Sequence, residues 1–171
     1  MKPHLAFALS ALLGSSALQA AEAQLTVQIP RLDVAEYHRP YVAIWLENDA
    51  GHVADLTVWY DTQMRDDEGE KWLKDLRQWW RRSGRGLDMP IDGLSAATRP
   101  PGSHELALQD LPAFKELAPG DYELVVEAAR EVGGRELLKV PFSWPVSQAA
   151  DLQAQGNREL GQIRLQLTPE Q

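Results

Sequence analysis

The chain has 171 residues, with 17 Lys and Arg against 25 Asp and Glu, for a formal net charge of −8 at pH 7. That balance argues against general binding to nucleic acid or to an anionic membrane, both of which select positive surface. With no cysteine anywhere, a disulfide framework, a thiolate metal site and a lipid anchor on an N-terminal cysteine are all excluded.

Met1 opens a short basic start (Lys2, His4) that runs into the apolar stretch Leu5 to Leu13 and then into small residues, the order of a cleavable secretory signal peptide. The stretch is too short to span a bilayer. Ala21-Glu22-Ala23 offers a cleavage site after Ala23, and Ala17-Leu18-Gln19-Ala20 a looser one after Ala20. The expected organisation is a signal peptide over residues 1–23 and one domain over 24–171, soluble in the periplasm and without membrane insertion of the mature chain. About 150 residues then remain, enough to bury a core without covalent staples. Removal of 1–23 deletes Lys2 and Glu22, so the net charge is unchanged.

Leu25 to Ile29 alternates apolar and polar residues and predicts a strand ending at Pro30. Tyr41 to Leu46 and Val53 to Tyr60 are β-branched and aromatic runs joined by Glu47-Asn48-Asp49-Ala50-Gly51, a hairpin signal. His104 to Leu108, Tyr122 to Ala128, Glu136 to Phe142 and Leu160 to Leu167 are four more strand candidates, with Gly133-Gly134 marking a second hairpin. Short strands separated by turn signals predict a mainly β chain, an antiparallel immunoglobulin-like β-sandwich.

Glu70 to Arg82 breaks the β pattern. Trp72, Leu73, Leu76, Trp79 and Trp80 fall on one stripe at helical spacing, so the segment is expected to be one amphipathic helix packing through Trp72, Leu76, Trp79 and Trp80. Lys71, Lys74, Arg77, Arg81 and Arg82 lie on its other face and Arg85 follows. A solvated basic face and an anion site beside tryptophan both fit this pattern.

Other chemistry is weakly marked. His38, His52 and His104 stand far apart, with no ligand spacing. The acidic run Asp61, Asp66, Asp67, Glu68 and Glu70 lacks the punctuation of a calcium loop. Ser95 has no neighbouring base that would make it a nucleophile.

Next comes the loop Asp92-Gly93-Leu94-Ser95-Ala96-Ala97-Thr98, set among Gly84, Gly86, Pro90, Pro100, Pro101 and Gly102 and so placed on the surface. It resembles the acceptor motif of ApbE-type flavin transferases, Asp-Gly/Ala-x-Ser/Thr-Gly/Ala-Ala-Thr. Asp92, Gly93, Ser95, Ala96 and Ala97 fit the allowed types, with Ala96 standing where glycine is typical. The resemblance implies that an ApbE-type transferase joins FMN through its phosphate to Thr98. Small residues beside the acceptor let an enzyme close on the backbone. Outside these seven residues the chain does not look like the usual FMN-binding domain.

A wider likeness runs through Tyr37-His38-Arg39-Pro40-Tyr41, through Lys71-Trp72-Leu73-Lys74-Asp75-Leu76-Arg77-Gln78-Trp79-Trp80-Arg81, through Asp92 to Pro100, and through Glu127-Ala128-Ala129-Arg130-Glu131-Val132-Gly133-Gly134-Arg135-Glu136. These segments resemble an uncharacterised family of bacterial periplasmic proteins, a domain of unknown function. The resemblance implies association with PepSY-type membrane proteins, flavin transferases and outer-membrane iron receptors.

The functional expectation is a monomeric electron-transfer flavoprotein with covalent FMN on Thr98. It would relay electrons from a PepSY-type membrane reductase to an extracytoplasmic acceptor such as a ferric chelate. Trp79 and Trp80 are expected to cover the isoalloxazine, and Arg81, Arg82 or Arg99 to neutralise the phosphodiester. The rival expectation is a cofactor-free immunoglobulin-like binding or accessory module for iron or metal uptake, using a tryptophan-rich surface.

Overall fold

The structure, a computed structural model, describes residues 21–170. The apolar leader expected from the sequence lies almost wholly outside these residues.

Among the described residues nine strands form two sheets. They are β1 (Glu22–Ile29), β2 (Tyr41–Asn48), β3 (Gly51–Tyr60), β4 (Ser95–Ala97), β5 (Gly102–Ala107), β6 (Gly120–Ala129), β7 (Arg135–Trp144), β8 (Ala150–Gln155) and β9 (Gln162–Thr168). One sheet has the order β5-β1-β9-β8 and the other β4-β3-β2-β6-β7. Neighbours are antiparallel except β3 and β4, which run parallel. The architecture is the mainly β sandwich that the alternating runs predict. The seven expected strands are present with ends shifted by up to three residues, Leu108 falling outside β5 and Leu160 and Gly161 outside β9, and β4 and β8 are additional.

The two sheets bury a common core. Leu25 and Val27 of β1, Ile44 and Leu46 of β2, Leu124 and Val126 of β6, and Ile163 and Leu165 of β9 all belong to it. The five-stranded sheet is covered on its outer face as well. There Ala43, Trp45, Val58, Tyr60, Val125 and Ala129 pack against Leu73, Leu76 and Trp79. Burial on both faces explains why Tyr41 to Leu46 and Leu124 to Val126 read as continuous apolar runs rather than alternating ones.

The covering layer departs from the expected single helix. Residues 65–75 form 3-10 turns interrupted by a kink at Asp66 and Asp67, where φ is +55°, and α1 (Arg77–Arg82) follows after a break at Leu76, whose backbone (φ −75°, ψ 71°) is not helical. Leu73 near the end of the 3-10 segment, Leu76 at the break and Trp79 in the first turn of α1 all turn inward and are at most 1% exposed. Trp72, placed inward by 3.6-residue spacing, is instead 41% exposed. A second short helix, α2 (Pro112–Lys115), buries Phe114 in the main core.

A register shift of β2 against β3 between Ile44 and Trp45 fits this layer to the sheet. Such a bulge re-aims the side chains beyond it. Leu56 joins the inter-sheet core, and Asp55 turns to the helical layer, where Oδ1 accepts from Trp79 Nε1 and from Ser83 Oγ, each at 2.9 Å.

Candidate functional site

The Asp92–Thr98 motif crosses from a tight turn into an edge strand. Leu94 N–H donates to Ile91 carbonyl at 3.1 Å, and Gly93 within that turn has φ +78°, a region where glycine carries no Cβ penalty. Ser95 Oγ accepts from Ile91 N–H at 2.9 Å, which ties the turn closed. The strand β4 then pairs with β3 in the register Val58↔Ser95, Trp59↔Ala96 and Tyr60↔Ala97. Leu94 carbonyl anchors its start by accepting from Val58 N–H at 2.8 Å and from Thr57 Oγ1 at 3.1 Å. Thr98 follows directly, with its N–H donating to Tyr60 carbonyl at 3.2 Å. Three residues with weak strand propensity are therefore held extended by the sheet edge, and Thr98 is delivered at a fixed point.

Within the motif, Asp92, Gly93 and Ala97 are exposed, Ser95 and Thr98 are half-buried, and Ala96 packs against the main core. Arg99 is exposed, its guanidinium 5.4 Å from the ring centroid of the buried Trp59.

Thr98 lines a cleft of about 350 Å³. Its other walls come from three distant segments: Tyr37, His38, Arg39 and Tyr41 before and at the start of β2, Asp61, Met64, Trp72 and Asp75 after β3, and Ala129 and Glu131 at the end of β6. An adjoining hollow over the β6–β7 turn shares Trp72, Asp75, Ala129 and Glu131. His38 sits between two carboxylates, with Nε2 2.9 Å from Glu36 and Nδ1 3.5 Å from Glu131. Tyr41 donates its hydroxyl to Gly69 carbonyl at 3.0 Å, and burial pushes that hydroxyl up to about 12. Burial also raises Tyr37 above its ordinary value, against the opposing influence of Arg130. Both tyrosines therefore stay protonated at neutral pH. The Tyr37 hydroxyl is the one buried side-chain polar atom among the described residues without a hydrogen-bond partner.

The other residues expected to hold a cofactor lie elsewhere. Trp79 is fully buried, with its indole N–H committed to Asp55, and leaves no face open. Trp80 is half-buried against the helical-layer cluster. Arg81 and Arg82 border a separate hollow with Gln78, and Arg82 Nε lies 3.3 Å from Glu47. Neither arginine lines the Thr98 cleft. Sequence reasoning gave Tyr37 and Tyr41 no role and assigned Trp72 to the core. The Tyr37–Tyr41 stretch was a signal, as one of the segments carrying the family likeness, but nothing in its spacing ties it to Thr98.

Among the described residues, no helix is long and apolar enough to cross a membrane, and no three His, Cys, Asp or Glu side chains gather as a candidate metal site. No curated protein and no solved structure matches the chain. Residues 22–162 match the model of a family described as "Predicted periplasmic protein (DUF2271)". That span takes in the five-stranded sheet, the helical layer, the Thr98 cleft and all of the other sheet but β9, and the chain belongs to this family of predicted periplasmic proteins.

Proposed function

We propose that this protein is a periplasmic electron carrier with FMN joined through its phosphate to Thr98. The leader exports the chain, an ApbE-type transferase modifies it, a PepSY-type membrane reductase supplies electrons, and a ferric chelate or similar extracytoplasmic acceptor takes them. One observation carries the reading: the last residue of the acceptor-like motif sits on the wall of an aromatic-lined cleft. In attachment the Thr98 oxygen attacks the flavin-side phosphorus of a flavin dinucleotide, the pyrophosphate bond breaks, and the nucleoside monophosphate leaves with the hydroxyl proton, so that the chain gains one FMN less one water.

The surrounding residues fit such a group. Arg39 on the cleft wall and exposed Arg99 beside Thr98 are cations within the neighbourhood of a phosphodiester, an anion that guanidinium groups recognise well. Asp92 and Gly93 project the turn into solvent, where a modifying enzyme meets it. Bound flavin supplies the electron-transfer chemistry, and the protein supplies position and shielding.

Co-expression with an ApbE-type transferase, export, and denaturing gels read by flavin fluorescence test this. Wild type is expected to keep its fluorescence and Thr98→Ala to lose it with an unchanged fold. Thr98→Ser should keep part, Asp92→Ala should load poorly, and Ser147→Ala, exposed and outside the motif, should load as wild type. Unmodified wild type under these conditions would leave a module that binds a free ligand in the same cleft.

A further inference from the structure

We propose that the cleft beside Thr98 seats the isoalloxazine ring, with Trp72 as its stacking wall and the Tyr37 hydroxyl as a hydrogen-bond partner of the ring. The inference rests on Thr98 carrying the flavin and goes beyond it by assigning the ring's position and two residues that hold it.

Two independent features meet at this cleft. Trp45, Trp59 and Trp79 are at most 1% exposed, whereas Trp72 is 41% exposed and lines the cleft that Thr98 lines. A large flat side chain left open in this way is a ready stacking surface for a planar heteroaromatic ring. Tyr37, on the same wall, has a buried hydroxyl with no partner. Buried polar groups are nearly always satisfied, so an orphan hydroxyl on a residue that lines a cleft is a group that a ligand seated there can satisfy. Burial keeps this hydroxyl protonated, a donor matched to the carbonyl oxygens and ring nitrogens of a flavin. Tyr41 does not compete, because its own hydroxyl is spent on Gly69 carbonyl.

The test uses the full chain loaded in the presence of transferase, with Thr98 occupancy read by intact mass. Wild-type flavin emission is expected to be strongly quenched. Trp72→Ala should raise the emission several-fold and lower its anisotropy, while Trp72→Phe, which keeps a ring, should fall between. Tyr37→Phe gives a sign test. In unloaded protein it should leave the melting temperature unchanged or raise it, since it removes an unsatisfied hydroxyl. In loaded protein it should lower the melting temperature, since it removes a bond to the ring.

Loaded protein in which Trp72→Ala leaves the emission unchanged, or Tyr37→Phe behaves alike with and without flavin, would overturn this seat while leaving attachment at Thr98 intact. If wild type takes up no flavin, attachment itself fails, and the cleft is judged by titrating free FMN into the unmodified chain. Saturable quenching of tryptophan emission that is lost in Trp72→Ala supports the seat, and its absence in wild type overturns it.

Discussion

Glu127, fully buried on the interior strand β6, accepts the backbone N–H of Trp79 at 2.8 Å and so holds the first turn of α1 to the sheet. The same carboxylate accepts from Gln78 N–H at 3.0 Å and from the Arg135 guanidinium. It supplies from below the acceptor that a helix start ordinarily takes from its own N-cap, and Leu76, at that cap, has no side chain able to do it. Glu127→Ala should therefore cost roughly 1.5–3 kcal/mol, the range for hydrogen bonds to a charged group. Glu127→Gln, which keeps one acceptor oxygen, should cost less. Chemical denaturation of the two variants checks the order, and equal stability of wild type and Glu127→Ala would show that α1 is held by other contacts.

The helical layer makes a second prediction through its tryptophans. Trp79→Ala should destabilise by about 3–5 kcal/mol, as expected for a fully buried indole. Trp72→Ala should change stability by less than about 1 kcal/mol, because the residue is largely at the surface. A continuous amphipathic helix would make the two losses comparable, so thermal melts of the pair decide between the arrangements.

Legibility from sequence followed the physics of each element. β2 and β6 were found because a strand buried on both faces is a run of Val, Ile, Leu and aromatics. β4 was missed because Ser95-Ala96-Ala97 has no such signal and is extended only through its partner Tyr60 and neighbours on β3. The Glu70–Arg82 segment was misread in detail because the stripe Leu73, Leu76, Trp79 has a spacing of three. The helical template absorbed Trp72 and Trp80 into the same face. Thr98 was legible through its motif, whereas the cleft was not. Tyr37, Trp72 and Glu131 reach Thr98 only through the pairing of β3, β2 and β6, which no local pattern encodes.

The N-terminus of the mature protein is predicted to be Ala21. Strand β1 begins at Glu22, Glu22 and Ala23 pair with Thr168 and Leu167, and Ala23 N–H donates to Gln109 Oε1 at 3.1 Å. Ala23 is fully buried, so cleavage after it would remove the first paired residues of the strand. N-terminal sequencing of exported protein should read Ala-Glu-Ala-Gln, and a start at Gln24 would contradict the prediction.

Acid should weaken the loop that precedes β9 through Glu136. Burial raises this carboxyl, but it accepts backbone N–H groups from Asn157, Arg158, Glu159 and Leu160 at 2.9–3.0 Å, and together these hold it below its ordinary value of 4.5. A depressed folded-state value means that Glu136 contributes stability above the ordinary value and loses it as pH falls through the folded one. Wild type should thus exceed Glu136→Gln in stability at pH 7, and the gap should narrow steadily below pH 4.5. A gap that stays constant across denaturation curves at neutral and acidic pH would remove Glu136 from the acid response.

Whether Thr98 carries the flavin is read from the intact mass of the protein purified from its own periplasm. The expected mass is that of the mature chain plus one FMN less one water, with fragmentation placing the addition on Thr98. A periplasmic chain at its unmodified mass, from cells that contain a flavin transferase, would contradict it.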